Sequence, residues 1–127
     1  MKKILALVLV LLLALPFAAM AEETPTVKIG VFEPASGDSG AGGKQEMLGM
    51  QYANYVQPTV DIGGTTYNVE LVYADNQSST STAPSAAQQL VSEGVSVVLG
   101  SYGSGVSIAA SPIFEDAGIP AIGVTCT

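Results

Sequence analysis

Residues 95–124 read VSVVLGSYGSGVSIAASPIFEDAGIPAIGV. The stretch opens on Val95 to Leu99 and closes on Ile119 to Val124, two short, near-continuous apolar runs rich in Val and Ile. Runs of this kind are strand signals and suggest burial on both faces. Between them Val106, Ala109, Ala110, Ile113, Phe114 and Ala117 stand at offsets 0, 3, 4, 7, 8 and 11, which is one apolar face of a helix. Pro112 falls inside that stripe. It lacks an N–H and crowds the carbonyl four residues back, so a kink or break is expected there. Strand, helix, strand in so short a space is a crossover unit, and right-handed crossovers build a parallel sheet.

The same grammar extends upstream. Val27 to Phe32 and Val69 to Ala74 are two further strand runs. Ala83, Ala86, Ala87, Leu90 and Val91 repeat the helical spacing, with Ser81 or Thr82 as N-cap, Pro84 in the first turn and Gly94 just past the end. A weaker helix covers Gln45 to Val56, with Leu48, Tyr52, Tyr55 and Val56 on one side. Pro58 to Tyr67, with Gly63-Gly64 at its centre, reads as a hairpin. The fold class that follows is α/β, a Rossmann-like parallel sheet with helices on both faces. Ligands of such folds bind at the carboxyl ends of the strands. Four loops leave those ends: Glu33 to Gly43, Asp75 to Ser81, Gly100 to Gly105, and Thr125 onward.

The first residues follow a different pattern. Lys2 and Lys3 precede an apolar run from Ile4 to Leu15, and Ala19-Met20-Ala21 supplies small residues where a signal peptidase cleaves. Residues 1–21 are therefore expected to be a signal peptide, and 22–26 a flexible leader. The apolar run is shorter than the roughly 20 residues a membrane-spanning helix needs. No Cys follows it, which argues against a lipid-anchored form and for a periplasmic or secreted protein. The chain stops three residues past the fourth strand, inside a loop, so 27–127 is expected to be an incomplete domain.

Charge and composition remove several functions. The 106 residues after position 21 keep all 11 acids and only Lys28 and Lys44, a net charge of −9. So few cations cannot neutralise a run of phosphates, so no nucleic-acid partner is expected, nor an anionic membrane surface. The chain has no His. It cannot build a Ser/His/Asp triad, a Cys/His pair or an imidazole metal site. Cys126 is the lone thiol and reads as a small side chain next to a strand end.

The glycine-rich loops fail as catalytic motifs. Gly37 to Lys44 lies where a phosphate-binding loop would be, but five residues separate Gly37 from Gly43, and Gln45 stands in place of the magnesium-binding hydroxyl. Glu33 and Asp38 would also repel a triphosphate. Gly40-x-Gly42 and Gly103-x-Gly105 each lack the third glycine of a dinucleotide fingerprint. Ser104 is flanked at two residues' distance by Tyr102 and Val106, not by the glycines of a nucleophile elbow. Asp75-Asn76 offers one carboxylate, too little for calcium or magnesium, and reads as a turn or cap. No cofactor is expected. Ser101, Ser104 and Ser107 remain, bringing hydroxyls to a helix start where backbone N–H groups favour an anion. Ser104 alternatively serves only as the helix cap.

Val27-Lys28-Ile29-Gly30-Val31, Pro34-Ala35-Ser36-Gly37, Gly49, Tyr73-Ala74-Asp75-Asn76, Ala86 to Gly94, Val97 to Gly100 and Ser111 to Pro120 together resemble the branched-chain amino-acid (Leu/Ile/Val) type of periplasmic substrate-binding protein. The similarity runs in unbroken order over 27 to 127. It implies a type I periplasmic-binding fold, two lobes joined by a hinge that close on an amino acid or related solute and deliver it to the permease of an ABC transporter. It also implies that 27–127 is an incomplete N-terminal lobe of a protein that is a monomer when complete and has no enzymatic activity. By the same resemblance Ser104 binds the ligand, Thr125 does so through its carbonyl, and Thr127 through hydroxyl and backbone, while Ser101 and Tyr102 lie against it. An aromatic residue common in the first glycine-rich loop is replaced by Gly42, which implies a more open or differently shaped pocket. The same fold also serves as the extracellular half of receptors, and a ligand-sensing domain is the alternative reading.

Overall fold

The computed structural model describes residues 23–126, so the segment read as a signal peptide and Thr127 lie outside the described residues. Its elements are β1 (Thr26–Glu33), α1 (Gly40–Val56), β2 (Thr59–Ile62), β3 (Thr65–Asp75), α2 (Ala83–Ser92), β4 (Val97–Leu99), α3 (Ser104–Asp116) and β5 (Ala121–Ile122). They form one sheet in the order β2-β3-β1-β4-β5. β1 lies at its centre, parallel to β3 on one side and β4 on the other, and β5 continues parallel beyond β4. β2 and β3 are the expected hairpin, antiparallel about Gly63-Gly64, both at positive φ. The α/β class read from the periodicity is the class observed.

Because side chains alternate across a strand, the two sheet faces have different partners. Phe32, Ala74 and Val98 point to α2 and α3 and form the core with Ala83, Ala87, Leu90, Val106, Ala110 and Phe114. The Phe32 and Phe114 rings meet edge to face, 5.5 Å between centroids, a favoured aromatic geometry. Ile29, Val69, Leu71 and Leu99 point the other way and line a groove of about 630 Å³ beneath α1. The expected burial on both faces is therefore corrected: the α2–α3 face is closed, and the α1 face is only partly covered.

The orientation of α1 also differs from expectation. Leu48, Tyr52, Tyr55 and Val56 face outward, 62 to 83 % exposed. The cause is the first turn. Gly40 and Gly43 are buried there, and a Cβ on Gly43 would stand 2.7 Å from the Pro34 ring. That close approach fixes the rotation of the helix and turns Glu46, Met50, Ala53 and Gln57, at helical spacing from Gly43, toward the sheet.

Pro112 does not break α3, which runs through it to Asp116. The Ile108 carbonyl that loses its N–H partner accepts instead from the Ser111 hydroxyl at 3.0 Å. Thr82 occupies the N-cap position of α2 without a side-chain capping bond. Its hydroxyl donates backward, to the carbonyls of Asn76 and Ser79. The last two strands are shorter than predicted, since Val95 and Ile119 each donate to the end of the preceding helix.

Candidate functional site

The parallel register ends β1 and β3 together, Glu33 beside Asp75, and the loops that follow are tied by side chains from the β3 end. Asp75 accepts from the N–H groups of Ala35 (2.8 Å), Ser36 (3.3 Å) and Gln77 (2.9 Å), and from the Ser36 hydroxyl (2.7 Å). Partial burial pushes its carboxyl up, but the bonds from Ser36, Gln77 and Ala35 outweigh this and hold it below the ordinary carboxylate value. Asn76 is fully buried. Its amide donates to the Phe32 carbonyl at 3.2 Å and to the Ser101 hydroxyl at 2.9 Å, and its oxygen accepts from the Ser78 N–H at 3.1 Å. One side chain thus joins the ends of β1, β3 and β4. Gln77 and Ser78 both sit at φ 57, a region that L residues rarely adopt, and the bonds from Asp75 and Asn76 hold their N–H groups there.

The loop after β4 passes close over β1. Gly100, at φ 119, leaves no room for a side chain, since a Cβ would stand 2.6 Å from Glu33 Oε1. Ser101 follows, fully buried, its hydroxyl turned inward to Asn76. Tyr102 donates its N–H to Glu33 Oε2 at 2.7 Å. Its ring lies over Gly42 of α1, where a Cβ would be 2.7 Å from Cε2. The space above Gly42 is therefore filled, by an aromatic ring supplied from another loop. Gly103 takes the N-cap position, and Ser104, half-buried, is the first residue of α3. The Ser107 hydroxyl closes the turn by accepting from the Ser101 N–H at 3.4 Å and donating to the Gly103 carbonyl at 3.3 Å.

After β5, Thr125 is exposed and donates its hydroxyl to Glu46 Oε1 at 2.7 Å. Thr127 lies outside the described residues. Of the residues singled out in the sequence, Tyr102 and Thr125 are brought together through two carboxyls, Glu33 and Glu46. Ser101 faces the interior and positions the loop. Burial pushes the Glu33 carboxyl up to about 8, against the pull of the Tyr102 N–H and with a further push from the adjoining Glu46 carboxyl. Sequence reasoning passed over both glutamates as pocket groups. The signal was present, because Glu33 is an acid that follows the apolar run Ile29 to Phe32 and precedes Pro34. Among the described residues no cluster of three or more His, Cys, Asp and Glu could hold a metal ion.

A family model described as periplasmic binding protein matches residues 26–127. Over 93 residues the chain is 31 % identical to the Leu/Ile/Val-binding protein homolog 2 of Brucella abortus, covering 73 % of this chain and 25 % of that one. A leucine binding protein of Thermotoga maritima superposes at TM-score 0.73 with 34 % identity, over 80 % of this chain and 28 % of its own. A solute binding protein of an ABC transporter from R. palustris, in complex with benzoate, superposes at TM-score 0.66 with 28 % identity, over 77 % of this chain and 27 % of its own. The chain spans about a quarter of the length of these relatives. Among the described residues no helix is long and apolar enough to cross a membrane.

Proposed function

The chain belongs to the periplasmic binding protein family, and from that premise we propose that it forms the front of the first lobe of an extracytoplasmic solute-binding protein. That protein is not an enzyme. It captures an amino acid, branched-chain or similar, or a related small solute, and hands it to the permease of an ABC transporter as a monomer. The observation that carries this reading is the convergence of the loops after β4 and β5 on the first turns of α1. Tyr102 lies over Gly42, Thr125 is bonded to Glu46, and Ser104 stands at the start of α3. Ser104 and the first N–H groups of α3 receive the ligand's carboxylate, Thr125 and Thr127 take its amino end, and the Tyr102 ring is an apolar wall. Ser101 acts from behind, through Asn76.

An aromatic carboxylic acid is the second reading. It is favoured by the benzoate-bound relative and by a phenol ring in the mouth of the site. Titration calorimetry of the full-length protein with leucine, isoleucine, valine and benzoate separates the two. Saturable heat with an aliphatic amino acid supports the first, heat with benzoate alone supports the second, and no heat with any of them removes both.

A further inference from the structure

Glu33 and Glu46 are not explained by carboxylate binding at Ser104. Glu33 is 1 % exposed; its Oε2 accepts from Tyr102, and its Oε1 is buried without a hydrogen-bond partner. Glu46 repeats the arrangement: its Oε1 accepts from Thr125 and its Oε2 is buried without a partner. The two carboxyls are side-chain neighbours. An ionised carboxylate can only accept. Two ionised groups would therefore set lone pairs against each other away from water, whereas one proton between them makes a strong O–H···O⁻ hydrogen bond.

Among the described residues the surroundings supply no substitute for that proton. From α1, Lys44 lies on the far flank beside Tyr73. On β1, Lys28 is bonded to Glu93 at the other end of the strand. From β3, Asp75 is engaged by Ser36, Ala35 and Gln77. From the loop after β4, the Tyr102 N–H reaches Glu33 while its phenol ring lies over Gly42. From the segment after β5, the Thr125 hydroxyl reaches Glu46, and Cys126 lies against Gly123.

We propose that Glu33 and Glu46 share one proton in the folded protein, and that this shared proton holds the loop of Tyr102 in register with the segment of Thr125. The pair consists of positioning residues for the ligand site, an inference that rests on the reading of Tyr102 and Thr125 as ligand-facing. Loss of the proton sets the two carboxylates against each other and separates the segments they hold. Solute affinity therefore falls as pH rises through the range in which the pair ionises. Burial keeps the Glu33 carboxyl protonated to about 8, so the loss begins above neutrality.

The test is a titration of the full-length protein, labelled at glutamate carboxyl carbons and backbone nitrogens, followed by NMR without ligand from about pH 5 to about pH 10. One glutamate carboxyl is expected to titrate near 8, with the Tyr102 amide following the same midpoint. Glu33→Gln abolishes both movements, because its amide gives a fixed donor to Glu46 and a fixed acceptor to Tyr102. All glutamates titrating below about pH 6, or a Tyr102 amide indifferent to the carboxyl midpoint, overturns the proposal. If Glu33→Gln does not fold, Glu46→Gln replaces the like charge by a donor and lowers the midpoint by about one unit or more; an unchanged midpoint is the overturning result. The same samples are heated with leucine and with benzoate. An intact titration in a protein whose melting temperature neither solute raises removes the ligand reading, and the positioning role with it, while the shared proton stands.

Discussion

The Tyr102 ring occupies the space over Gly42, so that a Cβ at position 42 would come within 2.7 Å of the ring's Cε2. Position 42 on α1 and position 102 after β4 therefore share one volume, and a side chain at one excludes the ring at the other. Gly42→Phe alone is expected to expel Tyr102 and weaken solute binding. Adding Tyr102→Ala returns the volume and part of the affinity. Calorimetry on the double-mutant cycle should give a coupling of about 1 kcal/mol or more; additive effects would show that the two positions do not share the site.

Asn76 holds three strand ends from a fully buried position. Asn76→Ala leaves the Ser101 hydroxyl and the Phe32 carbonyl without their donor, and each orphaned buried group costs about 1 to 3 kcal/mol. A loss of roughly 2 to 4 kcal/mol is expected in urea unfolding. A loss within about 0.5 kcal/mol, the range of surface substitutions, contradicts the assigned role.

Asp75 anchors the loop after β1 through three accepted hydrogen bonds, from Ala35 and Ser36, and its own loop through a fourth, from Gln77. Its carboxyl is held below its ordinary value of 3.8, so the stability it contributes is present above that value and is lost as pH falls through its lowered one. Asp75→Ala should remove this acid-side loss and lower stability near neutrality by about 1 kcal/mol, a small figure because the group is exposed and screened. The check is the unfolding midpoint measured from about pH 2.5 to about pH 7 in both proteins.

Glu33 gives the opposite sign. The folded protein carries a proton there up to about 8, while the unfolded chain releases it near 4.5. Its stability contribution is complete below the lower value and disappears as pH rises through the upper one. Unfolding midpoints of the wild type should therefore fall as pH rises from 4.5 to about 8, and those of Glu33→Gln should change less over that range. Parallel curves would count against the assignment.

Ser104 is the remaining residue proposed to contact the ligand directly. Ser104→Ala in the full-length protein should weaken solute binding by roughly 1 to 3 kcal/mol through a lost charge-assisted hydrogen bond. Equal affinity by calorimetry places the carboxylate elsewhere.

Much of the fold was legible because it rests on local periodicity. Val27 to Phe32 and Val69 to Ala74 pair in parallel, as a parallel sheet requires, and the stripe from Val106 to Phe114 packs as read. The outward turn of Leu48, Tyr52 and Tyr55 was not legible, because the Gly43–Pro34 approach that fixes it joins two elements. The site divides in the same way. Ser101 and Ser104 were expected from type and place at a strand end, and Tyr102 and Thr125 from the family resemblance, but which way each side chain turns was not legible.

The sequence alone therefore determined the α/β class, the crossovers that bring four loops to one edge of the sheet, and the absence of the histidine that catalysis or an imidazole metal site would use. These depend on spacing along the chain and on composition. Only the tertiary structure decided that Ser101 turns inward to Asn76, that Tyr102 fills the space over Gly42, and that Glu33 meets Glu46. The reason is physical. Residues 13 to 69 positions apart in sequence come within bonding distance only when the sheet has set its strand order, and the burial that perturbs a carboxyl is created by that packing.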